Sequence, residues 1–173
     1  MVQVVIINGN AKSKKDTFVY FCKKYCKTMN IKVHNLSTVD KVKKIAKKLG
    51  WNGSKTDEAR KFLSDMKRVW TNFNDGPFLT TIKRIDKKYT ENSLFFIHCR
   101  EPKEIKKFVD HYGEKITTLY LDKPGHVPNN SSDKNVKNYK YDYYIDTNVT
   151  DEEIQKSAEN WIKTLDEQGL INK

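Results

Sequence analysis

Gln3-Val4-Val5-Ile6-Ile7-Asn8-Gly9-Asn10-Ala11-Lys12-Ser13-Lys14-Lys15-Asp16-Thr17-Phe18 is the stretch that decides the fold. Gln3 to Ile7 is a short, continuous apolar run that stops at Asn8-Gly9, the pattern of a strand buried on both faces in the middle of a sheet. From Thr17 the period changes. Phe18, Val19, Phe21, Cys22, Tyr25, Cys26 and Met29 follow the i, i+3, i+4, i+7 spacing of a helix packed on a core. The opening is therefore strand, glycine turn, helix. Backbone N–H groups in such a turn, at a helix amino terminus, attract an anion whatever the side chains.

Working outward, the same two periods alternate. Val33 to Leu36 predicts a second, short strand, and Ser37 a cap for a helix carrying Val39, Val42, Ile45 and Leu49 and stopping at Gly50. A helix starting near Thr56 or Asp57 places Phe62, Leu63, Met66, Val69, Trp70 and Phe73 on one stripe. Asp75-Gly76-Pro77 breaks it, and another helix carries Phe78, Leu79, Ile82, Ile85 and Tyr89. Ser93 to Cys99 predicts a strand, followed by a helix with Ile105, Phe108, Val109 and Tyr112 ending at Gly113. Ile116 to Leu121 and Tyr141 to Ile145 predict two more strands. A last helix, capped near Thr150 or Asp151, aligns Ile154, Ala158, Trp161, Ile162 and Leu165. This alternation predicts an α/β fold, a parallel sheet with helices on both faces. We read one domain over 1–173, with a helical insertion at about 38–92 and a lid-like polar loop at about 122–140.

Composition bounds the function. The 173 residues suffice for a core without disulfides or a structural metal. With 37% hydrophobic residues the chain is too apolar for a disordered tail, and it has no run near the ~18 apolar residues that cross a bilayer. The amino terminus lacks a secretory pattern, so a cytoplasmic location is expected. Three cysteines make no disulfide framework; Cys22 and Cys26 share the apolar helix face and read as buried thiols. His34, His98, His111 and His126 have no partner at metal-ligand spacing. Of 33 basic residues against 22 acidic ones, net +11, only Arg60, Arg68, Arg84 and Arg100 are arginines. A guanidinium grips phosphate or carboxylate in two places, so the scarce arginines are the better candidates for specific contacts.

Set against G-x-x-x-x-G-K-[ST], the turn matches at Gly9 and at Lys15, the lysine that reaches terminal phosphates, with Thr17 one place beyond the usual hydroxyl. Two positions depart. Lys14 stands where the second glycine would be, and Asp16 where a hydroxyl meets magnesium. Lys12, Lys14 and Lys15 add positive charge, while a side chain at the glycine position can hinder close approach of backbone to phosphate.

Residues 3 to 18 resemble the phosphate-binding loop of P-loop nucleoside monophosphate kinase relatives in which Asp-Thr or Asp-Phe follows the lysine. Phage-type deoxynucleoside monophosphate kinases and animal-type phosphomevalonate kinases are similar there. Thr56 to Lys67, Ile97 to Pro102 and Asn138 to Tyr143 also look like uncharacterised bacterial and phage members of that group. The resemblance implies a three-layer P-loop NTPase fold with a five-stranded parallel sheet, adenylate-kinase-like. It implies ATP and Mg2+ as cofactors, and phosphoryl transfer from a nucleoside triphosphate to a small phosphorylated acceptor, most naturally a (deoxy)nucleoside monophosphate.

Carried over by position, Gly9, Asn10, Ala11, Lys12, Ser13, Lys14, Lys15, Asp16 and Thr17 would cradle the donor phosphates, with Lys15 and Arg100 catalytic and Asp16 or Thr17 near the metal. Arg60, Arg68 and Arg100 would hold the acceptor. The lid-like stretch offers Lys123, Lys134, Lys137 and Lys140 but no arginine, and the third strand has no terminal aspartate for magnesium. A weak or inactive nucleotide-binding relative is therefore an alternative. A basic nucleic-acid-binding module is another, suggested by the charge and by Tyr139-Lys140-Tyr141-Asp142-Tyr143-Tyr144, a run that equally suits an edge strand. The sequence calls for no membrane partner and leaves oligomeric state open.

Overall fold

A computed structural model describes residues 3–10, 12–125 and 138–171 of the chain. In order they form β1 (Gln3–Gly9), α1 (Lys15–Thr28), β2 (Lys32–Ser37), α2 (Asp40–Lys48), α3 (Asp57–Asn74), α4 (Gly76–Lys88), β3 (Ser93–His98), α5 (Pro102–Tyr112), β4 (Ile116–Asp122), β5 (Tyr143–Asp146) and α6 (Asp151–Glu167). A 3₁₀ turn, Gly113–Lys115, joins α5 to β4.

The five strands make one parallel sheet in the order β2-β3-β1-β4-β5, so the apolar run of β1 lies at its centre. All seven residues of β1 are buried, which is why no polar alternation interrupts it. The residues alternate between two cores all the same. Val5 and Ile7 join Leu94 and Phe96 of β3, Leu119 and Leu121 of β4, the Phe18-Val19-Cys22-Cys26 face of α1, and Ile154, Ala158, Trp161, Ile162 and Leu165 of α6. Phe18 and Phe96 stand 5.8 and 5.9 Å from the Trp161 ring. Each of these large side chains, removed from water, contributes about 1.5–3 kcal/mol. Val4, Ile6, Phe95 and Ile97 are buried on the opposite face, as are Ile105 and Phe108 of α5.

The chain divides into two compact units, 1–35 with 89–173, and 36–88. The second contains α2, α3 and α4 and spans nearly the stretch read from the sequence as an insertion. Thr56 caps α3, its hydroxyl accepting from the Ala59 amide, as its position predicts. Three expectations shift. Val39, not Ser37, occupies the position before α2, because the Asp40 carboxylate accepts from the Ser37 amide and closes the turn. β5 starts at Tyr143 rather than Tyr141, since the Asp142 carboxylate takes the Thr118 amide and hydroxyl at 2.8 Å and pulls the chain into a turn. On α3, Phe62, Val69 and Phe73 are exposed rather than packed, Phe73 at 80%. Periodicity reports a helix face and leaves open whether anything covers it.

No described helix is long and apolar enough to cross a membrane. The lid-like stretch falls largely outside the described residues, Lys134 and Lys137 included.

Candidate functional site

β1 ends at Gly9, in the middle of the sheet's carboxyl edge, where open α/β sheets bind ligands. Close packing makes this glycine obligatory: a Cβ there would meet the Leu121 carbonyl oxygen and lie 2.6 Å from Ser13 Oγ. The chain then turns through Lys12 and Lys14, both with positive φ (61° and 49°), and enters α1 at Lys15. No side chain caps α1, so its first N–H groups, which have no intrahelical acceptor, face the turn. The half-buried Lys15 ammonium sits in the same turn. It donates to Gly9 O at 3.0 Å, Asn10 O at 2.8 Å and Ser13 Oγ at 3.0 Å. A cation and a positive helix end thus converge on one small volume, the arrangement that holds phosphate.

The Lys14 ammonium is drawn elsewhere. It donates at 2.8 Å both to the Val149 carbonyl and to the Asp151 carboxylate at the start of α6. Asp16 is 93% exposed, with its carboxylate 3.8 Å from His98 Nε2 at the end of β3; His98 Nε2 also lies 2.8 Å from Asn35 Oδ1. Arg100 follows β3, next to the turn, and its carbonyl accepts from Asn8 Nδ2.

The turn is held by residues that the pattern does not contain. Asn8 Oδ1 accepts the Gly9 amide at 2.8 Å, while its Nδ2 donates to Tyr141 Oη at 2.7 Å. Asn10, 3% exposed, donates to Asp122 Oδ1 and the Lys123 carbonyl and accepts the Tyr120 hydroxyl. Burial pushes the Tyr141 phenol well above its ordinary range, so it remains a neutral strut at physiological pH. Its ring lies 5.1 Å from that of Tyr120. The aromatic run at 139–144 thus supplies a support for the turn after β1, and Tyr144 is the exposed tyrosine of the run.

Gly9, Asn10, Lys12, Ser13 and Lys14 therefore lie in one turn and Lys15, Asp16 and Thr17 open the helix that follows it, with Arg100 just past the neighbouring strand β3; Ala11 lies outside the described residues. Arg60 and Arg68 belong to the second unit, exposed on α3, where they face Asp57 at 3.7 Å and Asp65 at 3.0 Å. Sequence reasoning missed Asn8, Asn10's buried role, Tyr120, Asp122 and Tyr141. The signal available was the pair of asparagines flanking Gly9, side chains suited to bonding local backbone.

For magnesium, the described residues contain no cluster of three or more His, Cys, Asp or Glu side chains. Mg2+ commonly keeps several waters and takes only one or two carboxylates beside substrate phosphates. The open Asp16 carboxylate, one residue beyond Lys15, fits that requirement, with Thr17 beside it; Asp122 is committed to Asn10.

No family model matches the sequence, and no curated protein matches it. Among solved structures, a gluconokinase from Sinorhizobium meliloti 1021 aligns with a TM-score of 0.53 at 12% identity, covering 96% of this chain and 94% of that one. A sugar kinase from Janibacter sp. HTCC2649 gives 0.49 at 14% identity, covering both chains fully. The Mycobacterium tuberculosis APS kinase in complex with AMPPNP and APS gives 0.48 at 12% identity over 95% and 97%. The sheet order, the turn after the central strand and the gluconokinase likeness together make this an α/β fold of the P-loop NTPase type.

Proposed function

We propose that the chain is an ATP-dependent phosphotransferase acting on a small phosphorylated acceptor, a nucleoside or deoxynucleoside monophosphate. The observation that carries this reading is the Lys15 ammonium held among Gly9 O, Asn10 O and Ser13 Oγ at the uncapped start of α1. The donor's terminal phosphates would replace those oxygens as partners of Lys15 and meet the amides at the start of α1. Arg100 would face the acceptor phosphate, with Arg60 and Arg68 as further proposed acceptor contacts. Such catalysis consists of positioning and charge neutralisation. Magnesium, when bound, would neutralise charge on the triphosphate, and Asp16 and Thr17 would hold it.

A second reading is favoured by two observations. β3 ends at His98 and continues into Cys99-Arg100 with no carboxylate, and Lys14 fills the glycine position in a left-handed conformation. A protein that binds nucleotide with little turnover meets the same geometry.

The deciding experiment is ADP release from MgATP across a panel of nucleoside and deoxynucleoside monophosphates plus phosphomevalonate, together with calorimetric ATP binding. Lys15→Ala is expected to weaken triphosphate binding, and Arg100→Ala mainly acceptor use. Binding without turnover supports the second reading. An ATP affinity that Lys15→Ala leaves unchanged removes both.

A further inference from the structure

The charge of the chain is unevenly placed. Residues 36–88, the second unit, hold 14 Lys and Arg against 6 Asp and Glu, +8 of the net +11. Its α2 reads Asp40-Lys41-Val42-Lys43-Lys44-Ile45-Ala46-Lys47-Lys48. Val42 and Ala46 are buried at 1% and 0%, while all five lysines are exposed. At 3.6 residues per turn, Lys43 and Lys47 fall on one flank of the outer face, Lys41 and Lys48 on the other, and Lys44 between them.

None of the five has an ion-pair partner among the described residues, in contrast to Lys14, Lys61 and Lys106, each bridged to an aspartate at 2.7–2.8 Å. The helix's one acidic residue, Asp40, is neutralised at 2.9 Å by Arg84 of α4. Five uncompensated like charges on a helix of nine residues repel one another. Their chemistry calls for a polyanion.

We propose that the lysine face of α2 is a sequence-independent binding surface for the phosphate backbone of double-stranded DNA. A helix about 10–12 Å across enters a major groove about 12 Å wide, and lysines on its two flanks then face the two phosphate rims. Lysines act as point charges, and the face holds no Arg, Asn or Gln to read base edges, so the contacts position without specifying. An anionic membrane is the poorer partner, because an interfacial helix buries its apolar face in lipid and that of α2 is already packed inside the protein. The surface is independent of the phosphate turn and of the function proposed for it.

The test is fluorescence anisotropy of the full chain with a labelled duplex of about twenty base pairs, titrated at several salt concentrations. Five phosphate contacts give a slope of log affinity against log salt near −4.5, an affinity loss of about five hundredfold between about 50 and 200 mM. Lys43→Gln/Lys44→Gln/Lys47→Gln is expected to leave two contacts, a slope near −1.8 and a loss of about twelvefold over the same range. A control of equal charge change, Lys23→Gln/Lys24→Gln/Lys27→Gln on exposed positions of α1, keeps the original slope. Lys43→Arg/Lys44→Arg/Lys47→Arg retains binding and separates lost charge from lost fold. Absence of duplex binding at about 50 mM salt, an equal loss in the α1 control, or preference for single strands, RNA or phosphatidylserine vesicles overturns the proposal.

Discussion

Lys14 should be held in its backbone conformation at a measurable cost, and two substitutions at this one position isolate it. Its φ and ψ are 49° and 28°, in the left-handed region, which costs a residue with a Cβ about 1–2 kcal/mol relative to the right-handed helix. Its side chain offsets part of this through bonds to the Val149 carbonyl and the Asp151 carboxylate. The Asp151 side chain is 66% exposed, so solvent screening holds the ion pair to about 0.2–1 kcal/mol.

Lys14→Ala removes the tether and keeps the strain; Lys14→Gly removes both but adds about 0.4–1 kcal/mol of unfolded-state entropy. Glycine is therefore expected to be more stable than alanine by about 0.5–1 kcal/mol and close to the natural lysine. Urea unfolding followed by circular dichroism measures the difference. In the folded variants ATP affinity should fall less than about tenfold, 1.4 kcal/mol, because the Lys14 ammonium is spent on Asp151 and not on the turn. An alanine variant as stable as the glycine variant, with the lysine more stable than either by several kcal/mol, would show that the tether and not the backbone governs this position.

Gly9→Ala drives a Cβ into the Leu121 carbonyl and Ser13 Oγ and is expected to cost about 1–3 kcal/mol in unfolding free energy and to abolish calorimetric ATP binding; a neutral alanine contradicts the packing described. Thr150→Ala removes a complete capping box with Glu153 at the start of α6, an expected loss of about 1 kcal/mol, or about 2–4 °C in thermal midpoint. Burial raises Cys26 from 9.0 to about 12, and Cys22 is raised as well. The folded protein retains protons that the unfolded chain releases, so these thiols leave stability intact below pH 9 and erode it between about pH 9 and 12. Thermal midpoints of Cys22→Ala/Cys26→Ala should decline less over that window than those of the natural chain, and equal declines would disprove the assignment.

The turn between β1 and α1 was legible because its determinants are local. An apolar run that ends at a glycine, a change of period from continuous to helical, and a lysine at the helix start all lie within Gln3 to Phe18. Buried central strands and packed helices leave such signatures whatever surrounds them. The central placement of β1, the helix from Lys15, the three successive helices of the insertion and the Thr150 cap follow from the same short-range rules.

What braces the turn comes from far along the chain. Asn8 meets Tyr141 and Asn10 meets Asp122 and Tyr120, partners more than 100 residues away, and only parallel pairing of β1 with β4, which sets Asn8 opposite Tyr120, brings them near. The same holds for Lys14: the pattern marks it as the residue in place of a glycine, but its left-handed backbone and its bond to Asp151 depend on where α6 begins. The apolar stripe of α3 marks the opposite boundary. Phe62, Val69 and Phe73 have helical spacing and are exposed, because spacing fixes which side chains share a face, while burial depends on an opposing surface that only the tertiary structure supplies.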